Sequence, residues 1–427
     1  MFYDVVIVGA GMGGLVSGAL LSKRGFNVLI LEKSGDIGGR AISVDKDGFI
    51  LDYGIHLARF GTKGVIATTM KELRKDIEIV RPGRSVIYWE ERFETLPLSV
   101  STISSAKFLS SEEINELLTL LMHAIREDVD SLLNVSLSEW LEGKVKSENV
   151  RKLMRVFSTM LLVVPEIERA SAGELIDLIK QAVATGEGAG YPKGGWKIIL
   201  QKLRETIEEN GGRILTDTKV NKVVIENNEV KGISTKDQKI KADKVIVAIP
   251  CQQIFSILDK DKFPVEFVKK AENTIPTCGV SIDFAVSEPI IEVSGMIVSE
   301  DPPILGLPTS NLDPTVAPEN KQLATFLLII PSEQFAEGKD RELNRLENFV
   351  YKMFPKLKDK VLWTRKLKLP IVDGAAPFYN QTRTDRVPIK APVNGLFFVG
   401  DSYAAPGGSG DIAWHTARKC VEEISKK

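Results

Sequence analysis

Cysteine, histidine and long apolar runs are scarce in this 427-residue chain, and each scarcity removes a class of protein. The three cysteines, Cys251, Cys278 and Cys420, stand far apart, with no Cys-x-x-Cys pair and no Cys/His ligand spacing. Only His56, His123 and His415 could join them, so neither a metal centre nor a disulfide framework is expected, and a reducing cytoplasmic setting fits. Charge of one sign is also missing. The formal net charge is −1 with no basic block, which argues against a nucleic-acid partner. Apolar runs such as Leu327–Ile330 fall far short of the ~20 residues that span a bilayer. A peripheral contact with a membrane surface stays open, because sequence discriminates amphipathic faces poorly. The first strand-like run starts four residues from Met1, which leaves no room for a cleavable signal peptide. The length exceeds one small core, so two or three intertwined subdomains are expected.

What is present is concentrated at the two ends. Val5-Val6-Ile7-Val8 breaks into Gly9-Ala10-Gly11-Met12-Gly13-Gly14, a buried-strand pattern running into Gly-x-Gly-x-x-Gly. Helical periodicity follows over Leu15–Arg24 and stops at Gly25. A second strand, Asn27–Leu31, ends in Glu32, where a carboxylate can hydrogen-bond the hydroxyls of an adenosine ribose. The free N–H groups of the helix start form an anion site suited to a pyrophosphate. Beyond Glu32 and Lys33 comes Gly38-Gly39-Arg40, more close-approach backbone with a guanidinium able to grip phosphate oxygens. Near the other end, Leu396–Val399 reads as a buried strand closing in Gly400-Asp401. Gly407-Gly408-Ser409-Gly410-Asp411 then opens a helix at Ile412. Such a helix tip stabilises nearby negative charge by roughly 0.3–2 kcal/mol.

Between the ends, a strand pair is expected over residues 41–51, running into Asp52-Tyr53-Gly54-Ile55-His56. Residues 100–190 read as helical, with a capping box at Ser110–Glu113. Tyr191-Pro192-Lys193-Gly194-Gly195-Trp196 opens a helix to Asn210. Strands at 213–215, 220–225, 230–234 and 244–249 follow, the last ending at Pro250. Residues 251–370 read as mixed, with strands at 280–284 and 323–330 and a helix over 341–354.

These motifs resemble the FAD-dependent family that contains flavin amine oxidases, protoporphyrinogen oxidases and phytoene desaturase-like enzymes. The phytoene dehydrogenase-related branch is the nearest. The resemblance covers residues 1–60, 191–250 and 390–427. It implies an α/β architecture: a Rossmann-type, three-layer FAD-binding domain of the glutathione reductase kind, a mixed α+β substrate domain and a helical insertion. On this division the FAD-binding domain comprises 1–75, 191–250 and 390–427, the insertion 76–190 and the substrate domain 251–389. The cofactor residues so implied are Gly9, Gly11, Met12, Gly13, Gly14, Glu32, Lys33, Gly39, Arg40, Gly54, Ile55, His56, Val220, Gly400, Asp401, Gly408, Asp411 and Ile412. Val220 offers its backbone to adenine, and Gly54, Ile55 and His56 lie beside the flavin ring. His56 is the one candidate for a chemical role, set against a histidine that merely bonds a loop carbonyl. Tyr191, Trp196 and Tyr403 are the candidates for substrate contact.

Ser402–Pro406 holds no cysteine where covalent-flavin relatives carry one, so FAD is expected to bind non-covalently. Gly279-Val280-Ser281 holds no lysine where many amine oxidases place one near flavin N5. The expected activity is hydride transfer between flavin N5 and a carbon of a small apolar, isoprenoid-like substrate. Amine or protoporphyrinogen-type oxidation is the alternative. A non-redox module that binds prenyl groups, like the Rab GDP-dissociation inhibitors, is the alternative outside enzymes.

Overall fold

The structure, a computed structural model, describes residues 2–426. The apolar run at the N-terminus forms the strand Phe2–Val8, central in a sheet covered on both faces. Five parallel strands stand in the order Arg213–Leu215, Val28–Leu31, Phe2–Val8, Lys239–Val247 and Leu396–Phe398. The fourth is forked. Its residues 239–241 pair antiparallel with Glu229–Ser234, which in turn pairs with Lys222–Glu226; its residues 245–247 pair with Leu396–Phe398. Three distant parts of the chain therefore share one sheet.

Val5, Ile7 and Ile30 pack on one face against the helices Met12–Lys23, Trp196–Glu209 and Asp411–Ser425. On the other face, Tyr3, Val6 and Val8 meet the antiparallel strands and an aromatic ladder. That ladder runs Phe263, Phe267, Phe398, Tyr403, with centroids 5.2, 5.7 and 5.5 Å apart. Each such buried ring contributes about 1.5–3 kcal/mol.

A second seven-stranded sheet runs Val361–Leu369, Cys278–Val286, Gln322–Ile330, Ile304–Leu307, Ile297–Ser299, Val86–Trp89 and Arg92–Thr95. Its two longest inner strands, Cys278–Val286 and Gln322–Ile330, are buried along their whole length. Leu343, Leu346 and Val350 of the helix Ser332–Met353 cover one face. The helices between Val100 and Thr185 pack against Val298, Leu327 and Ile329 on the other.

Three expectations shift here. The helix read over 341–354 starts at Ser332, because its first half is charged and exposed and carries little apolar periodicity. Val361–Leu369 escaped notice as an edge strand whose alternation is masked by Arg365, Lys366 and Lys368. The block 76–190, read as largely helical, opens on three short strands, Ile79–Val80, Val86–Trp89 and Arg92–Thr95, and Val86–Trp89 pairs with Ile297–Ser299 some two hundred residues on.

Candidate cofactor site

The glycines after the first strand divide three tasks. Gly9 turns at φ +103°, and a Cβ there would lie 2.7 Å from the Ala248 carbonyl oxygen. A Cβ on Gly14 would overlap the Gly9 carbonyl oxygen, so this glycine lets helix and strand close together. A Cβ on Gly11 meets nothing within 4 Å. Gly11 thus faces open space at the helix start, Met12 packs against the core beside it, and no side chain caps that helix. Gly13 faces the C-terminal strand instead: its Cβ position is 3.1 Å from the Gly400 nitrogen. Gly38 donates its N–H to the Ala10 carbonyl at 2.8 Å, which lays the second glycine loop along the first. Gly39, whose Cβ position lies 3.2 Å from the Gly11 Cα, stays exposed.

Glu32 is held at the end of its strand. The Ala10 N–H donates to its Oε2 at 2.8 Å, and Ser34 donates N–H and hydroxyl to its Oε1 at 3.0 and 2.8 Å. Oε2, with one donor, keeps capacity for a further one. Thr218 N–H bonds the Glu32 carbonyl at 2.8 Å, which brings the segment leading to buried Val220 beside this acid. Lys33 points to solvent.

The two ends of the chain meet at Arg40 and Asp401. The guanidinium donates to both carboxylate oxygens at 2.8 and 2.5 Å and to the Val372 carbonyl at 2.8 Å. The Gly374 N–H adds a bond to Asp401 at 2.8 Å. The Arg40 charge and these donors hold the buried Asp401 carboxyl below its usual range despite burial, which acts the other way. Sequence reasoning aimed the Arg40 fork at phosphate; in the structure the fork grips Asp401.

The Gly54–His56 segment lies where the two sheets face each other. Ile55 and His56 line a small pocket with Ile50, Asp52, Leu307 and Leu323. His56 Nε2 lies 3.0 Å from the Arg40 carbonyl and 3.1 Å from the Tyr53 carbonyl, so the ring is a fastener of this loop. Burial lowers its pKa and keeps it neutral. The chemical role held open for His56 gains no support from this geometry.

The aromatic substrate candidates are corrected in the same way. Trp196 is buried and donates Nε1–H to the His56 carbonyl at 3.1 Å. Tyr403 is fully buried in the aromatic ladder, its hydroxyl on the Ile249 carbonyl at 2.6 Å. Tyr191 touches the small pocket, yet its hydroxyl is committed to Asp52 at 2.6 Å and the residue is 1% exposed. All three brace the site from behind.

At the other helix tip, Gly400 has φ +140° and Gly407 φ +107°. Gly408 packs under Arg59: a Cβ there would lie 3.2 Å from the guanidinium carbon. Arg59 donates to the Gly408 carbonyl at 3.2 Å and the Leu161 carbonyl at 2.8 Å, tying the loop to the helical insertion. Asp373 accepts from the Ser409 hydroxyl at 2.6 Å. Asp411 and Ile412 are buried in the first helical turn. Sequence reasoning missed Arg59 and Asp373. Asp373-Gly374 looks like an ordinary turn, and nothing local marks Arg59.

A parallel sheet with two glycine loops meeting at its carboxyl edge, packed beside a second mixed sheet, defines an α/β protein. Residues 12–425 match the family described as flavin containing amine oxidoreductase, and the chain belongs to that family of flavin-containing oxidoreductases. It is 28% identical over 322 residues, 74% of this chain and 75% of its relative, to an uncharacterized protein of Methanocaldococcus jannaschii. It is 25% identical to a 4,4'-diapophytoene desaturase of a Methylomonas species, over 57% of this chain and 53% of that enzyme. The match therefore spans about half of the desaturase. An oxidoreductase from Methanosarcina mazei shares the fold with a TM-score of 0.85, at 25% identity over 99% of this chain and all of the other.

Proposed function

We propose that this chain binds FAD non-covalently and transfers hydride between flavin N5 and a carbon–carbon bond of an apolar, isoprenoid-like substrate. The observation that carries the reading is the Arg40–Asp401 fork. It ties the loop after Glu32 to the end of the C-terminal strand, so both glycine loops stand at one edge of the parallel sheet. The residues fit FAD. Gly11 leaves room for a diphosphate, and the uncapped N–H groups of its helix face that room. Glu32 keeps acceptor capacity for ribose hydroxyls. The tip at Gly408, Asp411 and Ile412 suits the ring end of the cofactor. The glutathione reductase-like three-layer arrangement is part of this reading.

FAD, when bound, supplies the two-electron chemistry. The protein positions the groove, keeps water from it and offsets charge. Arg40 and Asp401 fix the spacing of the two loops, and Arg59 fixes the ring-end loop against the insertion. The desaturase relative is named for an apolar polyene substrate, which favours that class here. The strand Cys278–Val286 carries no lysine. On its neighbour, Lys366 and Lys368 pair with Glu347 and Asp340 of the outer helix, away from the pocket. That placement weighs against amine oxidation.

The test is anaerobic reduction of the reconstituted protein. Yellow protein that releases intact FAD on denaturation, and that bleaches with an apolar polyene but not with amines, is the expected result. Amine-driven bleaching overturns the substrate class. Colourless protein that takes up no added FAD overturns the reading and leaves a prenyl- or lipid-binding module. The expected cytoplasmic location, with or without contact at a membrane surface, is part of the same proposal; among the described residues no helix is long and apolar enough to cross a bilayer.

A further inference from the structure

The loop 407–410 is surrounded by more acid than base. Asp373, Asp401 and Asp411 are each no more than 5% exposed, and the arginines facing them are Arg40 and Arg59. Asp401 is committed as an anion by the Arg40 fork and the Gly374 N–H. The other two are less well satisfied. Asp373 accepts the Ser409 hydroxyl on Oδ1, while Oδ2 is buried with no hydrogen-bond donor. Asp411 sits in the first turn of the C-terminal helix beside Arg59, and among the described residues no hydrogen bond to its carboxyl is found. Charges that face Asp373 are Asp401, Arg40 and Arg59; Asp411 faces Arg59. His415, one turn along the helix, packs under Gly407, and Arg418, Asp177 and Arg383 lie around it.

We propose that Asp373 and Asp411 are two separate buried proton acceptors, either of which neutralises the negative charge a reduced flavin brings to this helix tip. The proposal rests on the FAD reading and adds a function to residues that reading leaves idle. The balance is simple. A hydride carries two electrons and one proton, so the reduced ring keeps one negative charge. One further proton, drawn from solvent, forms an O–H bond on Asp373 or Asp411. If all three acids were ionised against two arginines, the buried cluster would already hold one excess negative charge. A second excess charge in so dry a place costs more than protonating a carboxylate whose oxygen lacks a donor. Burial and the nearby Asp401 charge push Asp373 up to about 6, and burial pushes Asp411 up to about 7. Both therefore change protonation near neutrality.

The test measures the flavin midpoint potential against pH in FAD-loaded wild type, Asp373→Asn, Asp411→Asn and the double variant. The slope counts protons taken up per two electrons. Near neutral pH the wild type is expected to take up close to two protons, and the double variant close to one. Equal slopes in wild type and double variant overturn the proposal. A second measurement needs no variant. The reduced-minus-oxidised infrared difference spectrum of the wild type should gain a protonated-carboxyl C=O band that shifts in D2O; its absence overturns the proposal even if the variants do not fold. Wild-type protein that binds FAD but lacks this band loses the proton acceptors alone. Protein that binds no FAD loses both readings.

Discussion

The helices of the insertion and those of the nucleotide fold begin in opposite ways. Every α-helix between Val100 and Thr185 starts on a serine: Ser99, Ser110, Ser136, Ser147 and Ser171 each accept a first-turn backbone N–H. The helices that pack on the nucleotide sheet start on Gly11, Gly195 and Gly410, with no side chain on their N–H groups. One of these three is served from outside, since Asp52 accepts the Trp196 N–H at 3.3 Å. At Gly410 the N–H groups of Asp411, Ile412 and Ala413 bond the carbonyls of Gly408, Ser409 and Gly410, which leaves the start at Gly11. A serine cap is worth about 1 kcal/mol. The insertion keeps that stability inside the protein; the Gly11 start forgoes it and leaves donors for a ligand.

The sharpest way to break this contrast is to fill the space at one glycine start. Gly11→Val should abolish flavin retention while the apoprotein keeps its melting temperature, because the new side chain points into open space. Gly14→Ala, three residues on, should do the reverse and unfold the domain, since its Cβ overlaps the Gly9 carbonyl. Flavin stoichiometry and thermal melts of the two apoproteins separate these outcomes. Normal flavin content in Gly11→Val would refute the groove.

Asp401→Ala comes next. It removes the partner of Arg40 and the acceptor for Gly374 N–H together. Breaking a buried pair costs about 3–5 kcal/mol. The Arg40 side chain is 35% exposed, so the expected loss in the apoprotein is nearer about 3 kcal/mol, with weaker FAD retention besides. Urea unfolding of apo and FAD-loaded protein measures both parts. The fork joins the two ligand-serving loops, whereas no serine cap of the insertion touches it.

A smaller effect is written in pH. Asp411 has its folded pKa raised to about 7, above the unfolded carboxylate value, so the folded state binds the extra proton. Its contribution is complete below about pH 4 and is lost as pH rises through about 7. Asp411→Asn carries no such term. Relative to that variant, wild-type apoprotein should lose stability as pH rises from about 4 to about 7. A pH-independent gap between the two would show that the carboxyl is not buried as a proton holder.

Much of this was legible because it is local. The strand–glycine–helix–strand–acid order of residues 5–32 and the Gly-Asp strand end at 400–401 are spelled out in consecutive residues, and both appear at the carboxyl edge of one sheet. The Ser110 capping box is local too, and both of its hydrogen bonds form. What escaped notice depends on distant pairing. Arg59 acts on Leu161 and Gly408, and Asp373 gains its meaning from Ser409 and Asp401. Tyr403 and Trp196 were not placed by sequence, because an aromatic beside a motif reads alike whether it faces a ligand or the core behind it. Only the partners of Tyr403 Oη and Trp196 Nε1 distinguish the two.

The least effect belongs to the serine starts themselves, and it tests whether the contrast is about ligands at all. Ser171 is fully buried, accepts the Glu174 N–H at 3.2 Å and donates to the Leu133 carbonyl at 2.7 Å. Ser171→Ala should cost about 2 kcal/mol, at the upper end for a cap, because a buried carbonyl also loses its donor. Ser110 is exposed and paired only within its own box with Glu113, so Ser110→Ala should cost about 0.5–1 kcal/mol. Neither change should alter the FAD dissociation constant, since both helix starts lie away from the fork that joins the glycine loops. Denaturant midpoints of the apoprotein read the first expectation and flavin titration the second. A tenfold loss of FAD affinity in Ser110→Ala would mean that the insertion reaches the cofactor groove through its helices, and that capping and ligand binding are not divided between the two regions.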